Sequence, residues 1–324
     1  MNQSKIEAIT LSQSNRLSWQ QFEASAIQRK MLPPQFTTSD NRLVCATHNF
    51  FVIVGIGAFV LGYLIIVTKK PYASIAIMSA EQHEEIEWLV KILSNLLITQ
   101  YNRDVVCFEH GMCGCSGNEN AHLHMMPVSK KATARDFEFA INQVLDHRGI
   151  GITDAIDREL RRNLRSEKSN QEVWSLAQLT RLPLHTYPKL DNQLGKYVYF
   201  RSPFASASFL TDANLGSQVG REIVFEVEKY HNKTLQKKLK RLSKGGMTQY
   251  GQLPWRWQDF AFSENIVKTM HHLTEPLLCL QNSTAAEKFG FKSYLAIKPN
   301  KQEQSFYYLS PMAASLHRLL APTI

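Results

Sequence analysis

Eighteen consecutive uncharged residues, Phe50 to Val67 (FFVIVGIGAFVLGYLIIV), constrain this chain more than any other stretch of it. As one helix the run would be about 27 Å long, close to the roughly 30 Å hydrocarbon core of a bilayer. Lys69 and Lys70 follow it, as a positive flank would. Its residue types point elsewhere. Val, Ile, Phe and Tyr dominate, Gly55 and Gly57 stand mid-run where a turn belongs, and Gly62 recurs soon after. Two strands, FFVIV and VLGYLIIV, joined through GIGA, suit those residues better than a helix carrying three Gly. A membrane helix and a β-hairpin are the two local readings.

The rest of the chain is ordinary globular material. Hydrophobic residues make up 44% and charged residues 20% of 324 positions, which excludes a disordered, collagenous or polytopic membrane chain. The opening MNQSKIEAIT lacks a basic segment followed by an apolar one, and five Cys do not make a disulfide scaffold. A reducing, cytoplasmic setting is the expectation. With 37 Lys+Arg against 28 Asp+Glu, the net charge of +9 predicts an anionic partner: nucleotide, nucleic acid or lipid headgroup.

Local patterns predict a short helix over 18–30 that ends before Pro33, and a strand over 42–48 leading into the apolar run. Ser79 opens a helix with Gln82 in capping-box position, and Ile86, Leu89, Val90, Leu93, Leu96 and Leu97 form its apolar stripe. A strand over 104–108, a Gly/Cys loop over 111–117 and a strand over 121–128 follow. Further on, helices are predicted over 136–145 and 156–164, a strand over 196–201, and a helix from Ser217 that runs on into a basic segment. Lys229 to Lys244 holds seven basic residues and no acidic one. The fold class expected is α+β, an antiparallel meander with a long helix. The expected divisions are an N-terminal extension (1–36), a core (37–135), an elaboration of it (136–275) and an appendage (276–324).

The chemistry concentrates in FEHGMCGCSGNENAHLHMMP, Phe108 to Pro127. On a strand, His122 and His124 project from one face, and Asn120 joins their row, while Ala121, Leu123 and Met125 alternate on the other. A neutral imidazole beside a second one can attack phosphorus or protonate a leaving group. The preceding loop, with Ser116 and Gly117, can offer backbone N–H groups to phosphate oxygens. A structural or metal-binding His-x-His is the competing reading of the spacing.

The string NAHLHMMP resembles the signature of the histidine-triad superfamily: three His alternating with apolar residues, then two apolar residues and Pro. Upstream, GYLIIVTKK resembles the family's Gly-His strand, with Tyr63 where His is common. FEHG resembles a subgroup with a C-terminal Q-x-x-R and a W-x-W motif; here stand Gln218-Val219-Gly220-Arg221, Trp255-Arg256-Trp257 and ENIVKT from Glu264. The likeness covers residues 42–128 well and 195–275 loosely. It implies that His122 attacks the α-phosphate of a nucleotide and becomes a nucleotidyl-histidine, while His124 holds phosphate oxygens. Asn120 stands where the first His would be and cannot take up a proton at neutral pH. His124, rather than the Gln common in transferases, tilts the expectation toward hydrolysis, with nucleotidyl transfer or a nucleotide- or RNA-binding protein of weakened catalysis as alternatives. The resemblance also implies that Phe50 to Val67 is a hairpin, that no cofactor is required, and that the substrate is a nucleotide or dinucleotide. A homodimer fits it, and a membrane partner does not.

The remaining residues carry weaker expectations. His110, Gly111, Lys69, Gln218 and Arg221 are expected near the phosphate. Cys45 and His48 (C-x-x-H) with Cys113 and Cys115 (C-x-C) could form a four-ligand zinc set, as some relatives carry; free thiols are the other reading. The run from Lys229 to Lys244 is either a nucleic-acid contact or a solvated Lys-rich helix.

Overall fold

β-branched and aromatic residues fill both sides of the apolar run, and it folds as two strands buried on both faces. The computed structural model describes residues 42–72, 74–75, 78–111, 120–147, 197–204, 206–210, 218–243, 257–260, 264–281 and 283–293. Within them β1 is Leu43–Ala46, β2 Phe50–Val54 and β3 Leu64–Thr68; α1 (Ala80–Tyr101) follows, then β4 (Asp104–Gly111) and β5 (His122–Val128). After α2 (Ala134–His147) come β6 (Tyr197–Arg201) and β7 (Ser206–Leu210). The chain goes on through α3 (Val219–His231), α4 (Lys233–Leu242), a single 3-10 turn (Trp257–Phe260), α5 (Glu264–Leu280), α6 (Thr284–Lys288) and β8 (Lys292–Ser293).

The eight strands form one sheet in the order β7-β6-β4-β5-β3-β2-β1-β8, every neighbouring pair antiparallel. The α+β expectation and the hairpin are both observed, so the membrane-helix reading of Phe50–Val67 is overturned. Among the described residues no helix is long and apolar enough to cross a membrane. The hairpin connection is longer than GIGA. It spans 55–63, because Tyr63 and its neighbours serve the turn rather than extending the second strand.

Register decides which side chains share a face. Val67 pairs with His122, Ile65 with His124, and Phe108 with His124, so both histidines, Phe108 and the odd-numbered residues of β3 look one way. α1 lies on the opposite side. Its Leu97 crowds Gly62 together with Pro127, and its His83 meets the Ile75 carbonyl beside the Glu109 carboxylate. The predicted capping box holds this helix: Ser79 Oγ accepts from the Gln82 amide (3.3 Å) and Gln82 Oε1 from the Ser79 amide (3.0 Å).

The histidine face is roofed by the C-terminal helices. Phe137 of α2 packs on Phe200, and Phe225 of α3 meets Phe59 edge-on at 5.4 Å. Thr269 of α5 accepts from the Gly62 amide at 2.9 Å. Among the described residues, α2 and α3 thus lie over the histidine face. Residues 283–293, expected within an appendage, instead finish the sheet edge: β8 pairs with β1, and Phe289 and Phe291 pack on Trp88.

The helix predicted to run from Ser217 through the basic segment is broken at Asn232. Its extended backbone ends α3, and its side chain caps α4 by accepting from the Thr234 and Leu235 amides (both 3.1 Å). The expected helices over 18–30 and 156–164, the segment 112–119 with Cys113, Cys115, Ser116 and Gly117, and Trp255 and Arg256 lie outside the described residues.

Candidate functional site

β4 and β5 carry the site. β4 runs through FEHG to Gly111, so His110 is a strand residue rather than the lip of a loop. On the histidine face, four rings lie nearly parallel across three strands and the residue that precedes β3. Tyr63 and His124 are 5.9 Å apart, His124 and Phe108 4.5 Å, and Phe108 and Phe200 6.2 Å, with interplanar angles of 25°, 16° and 15°. This row makes the floor apolar and rigid, and it buries His124 completely.

Two glycines let the floor and roof close. Tyr63 leans over Gly55, where any Cβ would overlap its ring. A Cβ on Gly220 would overlap the Phe108 ring. The first turn of α3 therefore lies against the floor, and the Gly220 amide donates to His110 Nε2 at 3.0 Å. That bond fixes the His110 tautomer with its proton on Nδ1. It also brings the positive end of the α3 dipole to the histidines.

His122 is half-exposed, and its Nδ1 lies 3.0 Å from the Asn120 backbone oxygen. A carbonyl only accepts, so Nδ1 holds the proton and Nε2 keeps its lone pair. His124 is arranged in the opposite sense. Its Nδ1 is 2.7 Å from the Tyr63 hydroxyl, and its buried Nε2 has no hydrogen-bond partner among the described residues. Arg221 of α3 lies beside the same side chain, with its guanidinium 5.8 Å from the Tyr63 ring centre. When the phenol donates to His124 Nδ1, that nitrogen is the acceptor and His124 Nε2 carries the proton.

Electrostatics support that assignment. Burial, then Arg221, His122 and His110, hold the His124 imidazole well below its ordinary value, so it is neutral. Burial pushes the Tyr63 hydroxyl up, while Arg221 and Arg42 draw it partly back; it stays protonated. Arg42 itself is buried, donating to the Val54 carbonyl at 2.9 Å.

The expected residues divide accordingly. His122, His124, His110 and Arg221 come together. Gln218 caps the start of α3 without a side-chain cap bond. Asn120 departs from the expected row: it precedes β5, bridges Tyr72, and its amide donates to the Thr68 carbonyl at 2.7 Å. Its backbone oxygen, not its side chain, serves His122. Lys69 is also turned to structural use, donating to the Thr47 carbonyl at 2.6 Å above the Phe51 ring. Burial lowers its ammonium value. Of the zinc set, Cys45 is buried with its thiol pushed up by burial, and His48 is exposed. Among the described residues no group of three or more His, Cys, Asp or Glu is placed to hold a metal.

A scan against protein-family models finds none that matches, and a search of curated proteins finds no significant match. The geometry therefore carries the functional argument.

Sequence reasoning passed over three contributors: the Tyr63 hydroxyl, the Phe108 floor and the Gly220 contact. Gly220 was visible inside the Gln218–Arg221 motif. A helix-opening Gly beside a cation marks a close backbone approach, and that was the available signal.

Proposed function

We propose that the chain is a histidine-triad-like nucleotide phosphohydrolase in which His122 attacks an α-phosphate. The observation that carries this reading is the tautomer of His122. Its Nδ1–H is tied to the Asn120 carbonyl, which leaves the lone pair of this partly exposed residue on Nε2, the nitrogen a nucleophile needs.

In the proposed reaction the Nε2 lone pair forms an N–P bond while the bond from phosphorus to the leaving oxygen breaks. The leaving group departs with that electron pair. Water then adds to phosphorus, the N–P bond breaks, and neutral His122 returns after one proton is lost to solvent. His124 Nε2–H, polarised through Tyr63 and Arg221, donates to a non-bridging oxygen as charge develops there. The start of α3 adds its dipole to the same charge. With its amide bound to the Thr68 carbonyl, Asn120 is no proton relay. Leaving groups that depart as stable anions, such as pyrophosphate or a nucleotide, are therefore favoured over amines and alkoxides.

The test is incubation with a panel of nucleotides labelled at the α-phosphate. The expected product is an acid-labile adduct on His122, absent in His122→Ala together with turnover. Unchanged phosphoanhydride cleavage in His122→Ala would sink the reading. Asn120 also favours a second one, a nucleotide-binding protein with weakened catalysis. Nucleotide binding with neither adduct nor turnover would select it.

A further inference from the structure

The opposite end of α3 carries charge of another kind. α4 presents Lys233, Lys237, Lys240 and Arg241 to solvent, at i, i+4, i+7 and i+8, hence on one face. Lys229 and Lys238, counted with them in the sequence, are set apart. Lys229 is buried against Glu226 (2.6 Å), and Lys238 lies over the Phe260 ring (4.1 Å). The acidic residues at this end are already engaged: Asp136 with His231, Glu226 with Lys229, and Glu228 with Arg103. Lys233, Lys237 and Arg241 have no acidic partner among the described residues.

Such a stripe opposes its own helix. Lys233 sits at the positive end of α4, and like charges at i, i+4 repel. A bound polyanion removes both penalties. The helix does not suit a bilayer, because Leu235 and Leu239 are spent on the core (2% and 1% exposed), which leaves Leu242 alone at the surface. Two exposed aromatic rings belong instead to the elements joined just before α4, Tyr230 at 56% near the end of α3 and Phe139 at 54% on α2. Each lies within one turn of the His231–Asp136 bond that joins α3 to α2. Cations with exposed rings are the combination that tracks a single strand, phosphates on the first and bases stacked on the second.

We propose that this α4 face, with Tyr230 and Phe139, binds single-stranded nucleic acid. The surface is separate from the chemistry proposed at His122: α3 is 13 residues long, so its two ends are about 20 Å apart.

The test is fluorescence anisotropy of the full chain with a labelled RNA strand of about 12 nucleotides, a length within single-strand site sizes. Salt is varied from roughly 50 to 200 mM. Log affinity is expected to fall with log salt at a slope of about −3, as four phosphate contacts on a single strand give. Replacing Lys233, Lys237, Lys240 and Arg241 by Gln should lower affinity at least about tenfold and flatten the slope by about two units or more. Tyr230→Ala should weaken the single strand more than a duplex of equal length. The Lys233→Gln, Lys237→Gln pair gives half the change in slope and serves where the fourfold variant fails to fold. His122→Ala should bind as the wild type does, whatever becomes of turnover. Absence of RNA binding, an unchanged slope in the Gln variants, or equal capture by phosphatidylserine/phosphatidylcholine vesicles would each overturn the proposal.

Discussion

α3 has two electropositive ends, and they are built in opposite ways. At its start, one cation, Arg221, lies beside the Tyr63 ring whose hydroxyl meets a fully buried imidazole, and the Gly220 N–H closes on the floor. Beyond its end, four cations are exposed on α4. The first end gains strength from low dielectric and fixed geometry, and salt should barely touch it. The second gains from number, and salt should erode it. Charge alone does not tell the two ends apart; burial and hydrogen-bond order do.

The largest effect expected at the buried end is on chemistry. His122→Ala should lower turnover by on the order of 10⁴-fold or more in steady-state hydrolysis, as loss of a nucleophile does, while RNA affinity stays unchanged. Equal losses in both would break the separation of the two ends. Gly220→Val comes next. Its side chain must displace Phe108, so urea unfolding should show a loss of about 3 kcal/mol.

Tyr63→Phe keeps the ring and removes the hydroxyl that orders His124. A stability loss of about 1–2 kcal/mol is expected, with a larger fall in kcat than in nucleotide affinity. An unchanged kcat would show that the hydroxyl only packs.

Acid supplies a smaller effect. The folded value of His124 lies below its ordinary 6.5, so the unfolded chain takes up a proton that the folded chain refuses. Its stabilising contribution is complete above that ordinary value and declines as the pH falls below it. The slope is at most about 1.4 kcal/mol per pH unit. Urea midpoints of wild type and His124→Gln across this range check it, because the variant lacks the group. Smallest of all, Lys237→Gln relieves repulsion on α4 and should raise stability by at most about 0.5 kcal/mol, with nucleotide turnover unaltered.

Much of this arrangement was legible in the sequence, and the illegible part has a common cause. The hairpin, the Ser79 capping box, the apolar stripe of α1 and the shared face of His122 and His124 rest on contacts within a few residues, where periodicity fixes geometry. Asn120 was misplaced because strand alternation was extended two residues past the end of β5, and a bridge to Tyr72 took over. Lys69 was expected at the phosphate because it closes β3, but the Thr47 carbonyl captures its ammonium. β8 went unseen because two residues carry no period; it exists through its pairing with β1.

By itself the sequence determined the α+β class, the strand that sets His122 and His124 on one face and the excess of positive charge, since alternation, capping and composition are local properties. Only the tertiary structure decided what the charges do. Packing of Gly220 on Phe108 turns Arg221 inward to Tyr63 and His124, whereas burial of Leu235 and Leu239 turns the α4 cations outward. Which way a side chain faces is set by the surface its helix covers, and for α3 that surface is a strand more than a hundred residues away.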